Sequence, residues 1–211
     1  MLDKHLIAHT CPYANEKNIL FWNDYRITVL QDRLFRVERS TQKNFRDEAT
    51  QSVWFRNMPA QDFEVLTTED SLTVQTKACK LIIKKNRADC LVELDGKTLS
   101  IDNAENLKGS YRTLDVCDGK VWQGKIWDGS EDKEIELENG VCSKNGVAVF
   151  DDAHSLSLGK DGEIKAVYGD GTDEYVFVYG DDYRSAVNAL YLITGKTPLL
   201  PRFVLGNWWS R

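Results

Sequence analysis

Apolar and polar residues alternate in short runs along most of this chain, and the dominant period is two. Residues 25–30 set Tyr25, Ile27 and Val29 against Arg26 and Thr28, and residues 34–39 follow closely after Gln31 and Asp32 with the same alternation. That pairing predicts a hairpin of two half-buried strands. Further runs at 52–56, 72–75, 79–84, 90–94, 147–150, 155–158, 163–168 and 174–179 predict strands as well. Asp95-Gly96, Asp118-Gly119, Asn139-Gly140, Asn145-Gly146, Asp161-Gly162 and Asp170-Gly171 supply turn chemistry between many of them. Many short strands punctuated in this way predict an all-β sandwich or barrel.

The period changes once. Tyr183, Ala186, Val187, Leu190, Tyr191 and Ile193 recur at helical spacing, Asp181 or Asp182 can cap the first turn, and Gly195 ahead of Pro198 stops the run. One C-terminal helix is therefore expected after the last strand, as a connector. A further strand is expected from Phe203. Leaving Phe203, Val204, Leu205, Trp208 and Trp209 at a free end would waste roughly 1.5–3 kcal/mol of burial for each, so the sequence is expected to be the front piece of a longer protein. Between 103 and 146 the periodicity weakens and Gly, Asp, Asn and Trp accumulate. So long an irregular stretch is expected to be a functional loop, and Tyr111, Trp122 and Trp127 weigh against simple disorder.

Composition narrows the classes. At 211 residues and 42% hydrophobic content the chain can bury a core without staples. No apolar run is long enough for a membrane span and no signal peptide opens the chain, so no membrane partner and a cytoplasmic location are expected. Cys11, Cys79, Cys90, Cys117 and Cys142 are odd in number, widely spaced and without a CxxC pair, which fits free thiols in a reducing compartment. His5 and His9 have helical i, i+4 spacing but no accompanying third ligand, so no metal is expected, and no cofactor motif is present. The net charge of −6 is interleaved along the chain, which argues against nucleic acid and fits a neutral ligand such as a sugar better.

No catalytic constellation is visible: no GxSxG elbow, phosphate-binding glycine loop or HExxH motif. The irregular stretch, however, gathers Asn106, Ser110, Tyr111, Arg112 and Asp115 within ten residues. A carboxylate accepts from two vicinal hydroxyls while an aromatic ring covers a sugar's C–H face, so Asp115 and Arg112 are candidate sugar contacts. The same two residues suit an internal ion pair that holds the loop.

Four blocks carry a family resemblance. Phe45, Asp47, Thr50, Gln51, Val53 and Arg56 resemble the segment F-x-D-x-P-T-Q-x-V-x-x-R of family 31 glycoside hydrolases. Residues 106–119 resemble N-L-G-G-T-x-R-T-L-D-x-x-D-G, and residues 137–152 are similar to L-E-x-G-L-L-S-R-x-G-W-A-V-x-D-D. Residues 179–183 and 192–211 resemble the family's passage from sandwich to barrel. Lys108, Ala49 and Val147 stand where the family usually has Gly, Pro and Trp, which bears on the shape of the pocket rim.

The resemblance implies an all-β, galactose-mutarotase-like β-sandwich with one C-terminal connector helix. It divides the chain into the sandwich (1–180), helix and linker (181–202), and the start of a (β/α)8 barrel (203–211). The parent would be a retaining α-glucosidase or α-xylosidase, whose two catalytic aspartates belong to the barrel, so this segment alone is expected to be inactive. Its partners would be that barrel, in the same polypeptide, and an α-linked oligosaccharide. By residue match, Asp115 is the loop carboxylate that touches the terminal sugar, with Arg112 beside it. Trp208 and Trp209 match the aromatic pair of the first barrel strand, one lining the pocket and the other packing inward. Two other readings stand beside this one: a stand-alone carbohydrate-binding or mutarotase-like module, and a purely structural buttress. A mutarotase would use a His and Glu pair for proton transfer, and no histidine here lies in a promising loop.

Overall fold

The computed structural model describes residues 3, 7–86, 89–108, 120–123, 133–166, 171–196 and 199–206, with backbone alone for 120–123, 133–136 and 205. Strands β1 (Ile19–Trp22), β2 (Tyr25–Gln31), β3 (Leu34–Arg39), β17 (Thr172–Val178) and β14 (Val147–Asp151) form a first sheet in that order. A second sheet is a meander of β5 (Glu64–Thr67), β6 (Ser71–Gln75), β7 (Lys80–Lys84), β8 (Leu91–Leu94) and β9 (Lys97–Ser100). Neighbouring strands in both sheets run antiparallel.

Period-2 alternation explains how the sheets meet. Ile27, Val29, Phe35, Val37, Val176 and Val178 of the first sheet share one buried core with Leu72, Val74, Leu81, Ile83 and Val92 of the second. Along β6 and β7 buried and half-buried positions alternate, as a sheet with one covered face requires. The β8–β9 connection is Asp95-Gly96, with φ of 49° and 77°, the two positive values that a tight hairpin turn needs.

The first sheet is covered on both faces, and β2 is buried at each position from Tyr25 to Leu30. On its outer side Leu30, Leu34, Tyr175 and Phe177 pack against Ala186, Ala189 and Ile193 of the helix α1 (Tyr183–Thr194). The helix ends follow their residues. Asp182 accepts from the Ser185 N–H, and Gly195, at φ 93°, returns its N–H to the Tyr191 carbonyl. The chain is thus an all-β sandwich with one C-terminal helix.

Some elements depart from the sequence pattern. Residues 52–56 do not form the predicted strand. Only β4 (Ala49–Thr50) does, pairing with β15 (Ser157–Leu158), while Phe55 makes a single bridge to Cys11. The backbone donors are spent elsewhere: the Trp54 and Phe55 N–H groups both donate to the Ile193 carbonyl, and that of Val53 to Thr50 Oγ1. The run from 163 contributes a short β16 (Ile164–Lys165) against β15; residues 167 and 168 lie outside the described ones. The stretch 103–146 is less irregular than expected. It contains β10 (Asn106–Lys108), β11 (Lys120–Gln123), β12 (Lys133–Glu136) and β13 (Asn139–Ser143), whose brevity and polar content leave no apolar period to read. Finally, Arg202–Leu205 form a 3-10 turn where a strand was expected from Phe203, with Val204 donating to the Pro201 carbonyl and Gly206 to that of Phe203.

Candidate functional site

Arg112, Asp115, Trp208 and Trp209 lie outside the described residues. Described are the strands on either side of 109–119. β10 ends at Lys108, and β11 begins at Lys120, opposite Glu136 of β12. One side chain anchors this platform. The Asn106 amide donates to the carbonyls of Gly140 (2.7 Å) and Val149 (2.8 Å) and accepts the Val149 N–H (3.2 Å), so it ties β10 to both β13 and β14. Gly140 permits the close approach, since a Cβ there would stand 2.9 Å from the Leu107 carbonyl oxygen. Asn145 repeats the device, donating to the Asn103 carbonyl (2.8 Å) and accepting from the Ser143 hydroxyl (2.7 Å). Beside the platform is a cleft of about 590 Å³ lined by Asn106, Asn139, Glu138, Asp151, Glu174 and Ser52 among others. Its acceptor-rich wall suits hydroxyl donors.

A second concentration of polar groups lies under the segments 44–56 and 152–155, on the outer face of the first sheet. Arg26 grips Glu38 with two bonds (2.6 and 2.8 Å), and Arg36 grips Asp173 with two more (both 2.7 Å). Strand register puts these groups in contact: Arg26 is opposite Glu38, Glu38 opposite Asp173, and Arg36 opposite Tyr175. Arg46 reaches Asp173 (2.9 Å) and the Asp152 carbonyl (2.7 Å), Thr50 Oγ1 donates to Asp152 (2.9 Å), and Arg56 Nε donates to the Tyr175 hydroxyl (2.6 Å).

Burial and charge compete here. Desolvation pushes the Asp152 carboxyl above its usual range. It opposes ionisation of Asp173 too, but Arg36, with Arg56 and Arg46, holds that carboxyl well below the usual range. Burial pushes Tyr175 up to about 12 against the pull of Arg36 and Arg56. With Asp152 fully buried and held by Thr50 and Arg46, and Asp173 nearly buried and held by Arg36 and Arg46, the layer is built to hold structure rather than to exchange protons with a substrate.

The blocks singled out in the sequence meet in space. Arg46, Thr50 and Arg56 of the first converge on Asp152 of the third, and Asn106 of the second is bonded to Gly140 and Val149 of the third. Reasoning from periodicity misses the charged layer, because Arg26, Arg36 and Glu38 occupy alternating strand positions that read as facing solvent. The available signal was the presence of Arg46, Arg56 and Asp152 inside those blocks.

Among the described residues no group of three or more His, Cys, Asp or Glu is placed to hold a metal ion. His5 and Cys117 lie outside the described residues, and Cys11, Cys79, Cys90 and Cys142 are free thiols. Among the described residues no helix is long and apolar enough to cross a membrane.

Neither a protein-family model nor a curated protein matches the chain. Solved structures do. A GH31 dextranase of Flavobacterium johnsoniae, in a mutant form complexed with isomaltotriose, matches 94% of this chain with a TM-score of 0.51 at 13% identity. A GH31 alpha-xylosidase from a soil metagenome, complexed with xylose, matches 89% with a TM-score of 0.51, also at 13% identity. The chain spans about a third of these proteins, 30% and 35% of their respective lengths. At such identity the likeness establishes a shared fold: this sandwich is of the kind found as one part of larger GH31 glycosidases.

Proposed function

We propose that the chain is the non-catalytic N-terminal domain of a retaining, cytoplasmic α-glycosidase of glycoside hydrolase family 31, acting on α-glucosides or α-xylosides. The observation that carries this reading is the match of 94% of the chain to 30% of a GH31 dextranase. The meeting of the family-like blocks around Asn106 and Asp152 supports it. Residues 1–180 are the sandwich, 181–202 the connector, and 203–211 the start of a catalytic barrel that packs on it.

Retaining hydrolysis uses two carboxylates about 5–5.5 Å apart, and in this reading both belong to the barrel. The sandwich contributes orientation. Asp115 accepts hydrogen bonds from vicinal hydroxyls of the terminal sugar, Arg112 holds that carboxylate or donates to the sugar, and one of Trp208 and Trp209 lines the pocket. Asn106 ties β10, the strand that leads into the segment, to β13 and β14, and Asn145 holds the chain just before it at Asn103. At a sugar-binding site a misplacement of about 1 Å can cost 10²-fold in rate.

In the intact protein, Asp115→Ala lowers kcat/KM on a nitrophenyl α-glucoside or α-xyloside by about tenfold or more, a loss of roughly 1.4 kcal/mol of transition-state stabilisation. Unchanged kinetics would remove Asp115 from the site. Hydrolysis by the 211-residue chain alone would overturn the assignment of catalysis to a barrel.

A further inference from the structure

Two adjoining cavities of about 580 and 540 Å³ share Gln61 and Lys77, forming one groove where the β2–β3 turn, the β6–β7 turn, the loop before β5 and α1 come together. It shares no residue with the cleft beside Asn106. Its walls are pinned from behind. Thr76 Oγ1 donates to the Asp32 carbonyl (2.7 Å), and the fully buried Asn18 accepts the Gln61 N–H (2.8 Å) while donating to the Pro59 carbonyl (2.9 Å).

Two amides in the groove are oriented by their neighbours. The Tyr179 hydroxyl donates to Gln31 Oε1 (3.1 Å), which leaves the Gln31 NH2 as a donor without a partner among the described residues. Gln61 Nε2 donates to the Pro59 carbonyl (2.9 Å), which leaves its Oε1 as an acceptor. On α1, Asn188 offers both kinds of group, again without a side-chain partner among the described residues. Charge is balanced across the lining: Lys77 pairs with Asp32 at 2.8 Å, and Lys17 and Arg33 are matched in number by Asp62 and Glu64. The groove thus presents fixed donors and acceptors side by side with little net charge. That pattern matches hydroxyl groups, each of which donates and accepts, and it gives a phosphate or carboxylate little to bind.

We propose that this groove is an accessory binding site for a neutral, hydroxyl-rich chain, an α-glucan, separate from the contact assigned to Asp115. The preference for hydroxyls comes from the groove itself; the identity of the chain as α-glucan rests on the glycosidase reading. The site holds polymer without taking part in bond cleavage.

Native electrophoresis of the intact protein through gels cast with soluble starch or with dextran, beside a polymer-free gel, tests it. At least one polymer retards the wild-type protein. The Gln31→Ala/Asn188→Ala double variant weakens that retardation by about tenfold, the size of one or two lost hydrogen bonds, and leaves turnover of a short nitrophenyl α-glycoside unchanged. Gln31→Glu, which keeps the acceptor for Tyr179 but removes the NH2 donor, weakens retardation in the same direction without a change in volume. Asp115→Ala does the reverse, losing turnover and keeping retardation. Absence of wild-type retardation in both gels, or equal retardation of the double variant, overturns the accessory site. Normal turnover of Asp115→Ala together with groove-dependent retardation overturns the Asp115 assignment and leaves the groove standing.

Discussion

Toward the second sheet, the first sheet presents Ile27, Val29, Phe35, Val37, Val176 and Val178; toward α1 and the segment 44–56, the same strands present Arg26, Arg36, Glu38, Asp173 and Tyr175. The contrast has a backbone origin. The second sheet arrives with its own ladder of hydrogen bonds, so contact with it need only exclude water from apolar side chains. Segments 44–56 and 152–155 have little regular structure, and the carbonyls of Arg46, Glu48, Asp152 and Ser155 fall outside strands. Arginines meet them: Arg26 and Arg36 both donate to the Arg46 carbonyl, Arg56 to that of Glu48, and Arg46 to those of Asp152 and Ser155. A buried carbonyl without a partner costs about 1–3 kcal/mol, and one guanidinium brings five donors in a rigid fork. In this layer arginine does for irregular chain what a ladder does for a strand.

Isosteric substitution separates the two faces. Asp173→Asn barely changes shape but leaves Arg36 and Arg46 short of a counter-charge in a closed space, and it should cost about 3–5 kcal/mol. On the apolar face Ile83→Val removes one methylene and should cost about 0.5–1.5 kcal/mol. Urea melts of the two variants measure this directly. A smaller loss for Asp173→Asn than for Ile83→Val would mean that the charged layer is incidental to the fold.

The faces also differ in how they meet pH: the charged layer gives way first in acid, through Asp173, and the apolar core first in alkali, through Cys79. Asp173 is held below its ordinary range, so its contribution is complete above the unfolded carboxylate pKa of about 4 and is lost as pH falls below it. Asp152, raised by burial, works in the opposite sense and offsets part of that loss. On the apolar face burial pushes the Cys79 thiol from 9.0 to about 11, so its contribution is complete below 9.0 and is lost as pH rises toward 11, ahead of Tyr175 at about 12. Plots of Tm against pH should show both limbs. Asp173→Asn should flatten the acid limb alone, and Cys79→Ala the first part of the alkaline one; an acid limb unchanged in Asp173→Asn would assign acid loss to other carboxylates.

Much of this architecture was legible where a single interior reads the chain. β2, β3, β6, β7, β14, β17 and α1 carry apolar residues at the right period, and the caps of α1 stand where Asp182 and Gly195 place them. Pattern fails in two ways. β5 is exposed at every position and gives no alternation to detect. In β2 and β3, alternation separates two different interiors rather than interior from solvent, so Arg26, Arg36 and Glu38 read as surface residues. The anchor of the candidate site was hidden for another reason: Asn106 bonds to partners 34 and 43 residues away, a relation that no local window contains. Asp115, Arg112, Trp208 and Trp209 rest on family resemblance, and the structure adds the strands beside the first pair without adding their contacts.

The smallest effect tests whether the two layers are one cooperative unit. Asp182 caps α1, and its replacement by Ala should cost about 1 kcal/mol, within the 0.5–2 kcal/mol usual for a lost N-cap. The far end of that helix offers the Ile193 carbonyl to the N–H groups of Trp54 and Phe55, which lead into Arg56 and the charged layer. Loosening α1 should therefore speed hydrogen exchange at Trp54 and Phe55, while the amides of Leu81 and Ile83, on the other side of the first sheet, keep their protection. Equal acceleration at all four amides would mean that the outer layer has no separate opening, and that helix, charged layer and apolar core unfold only together.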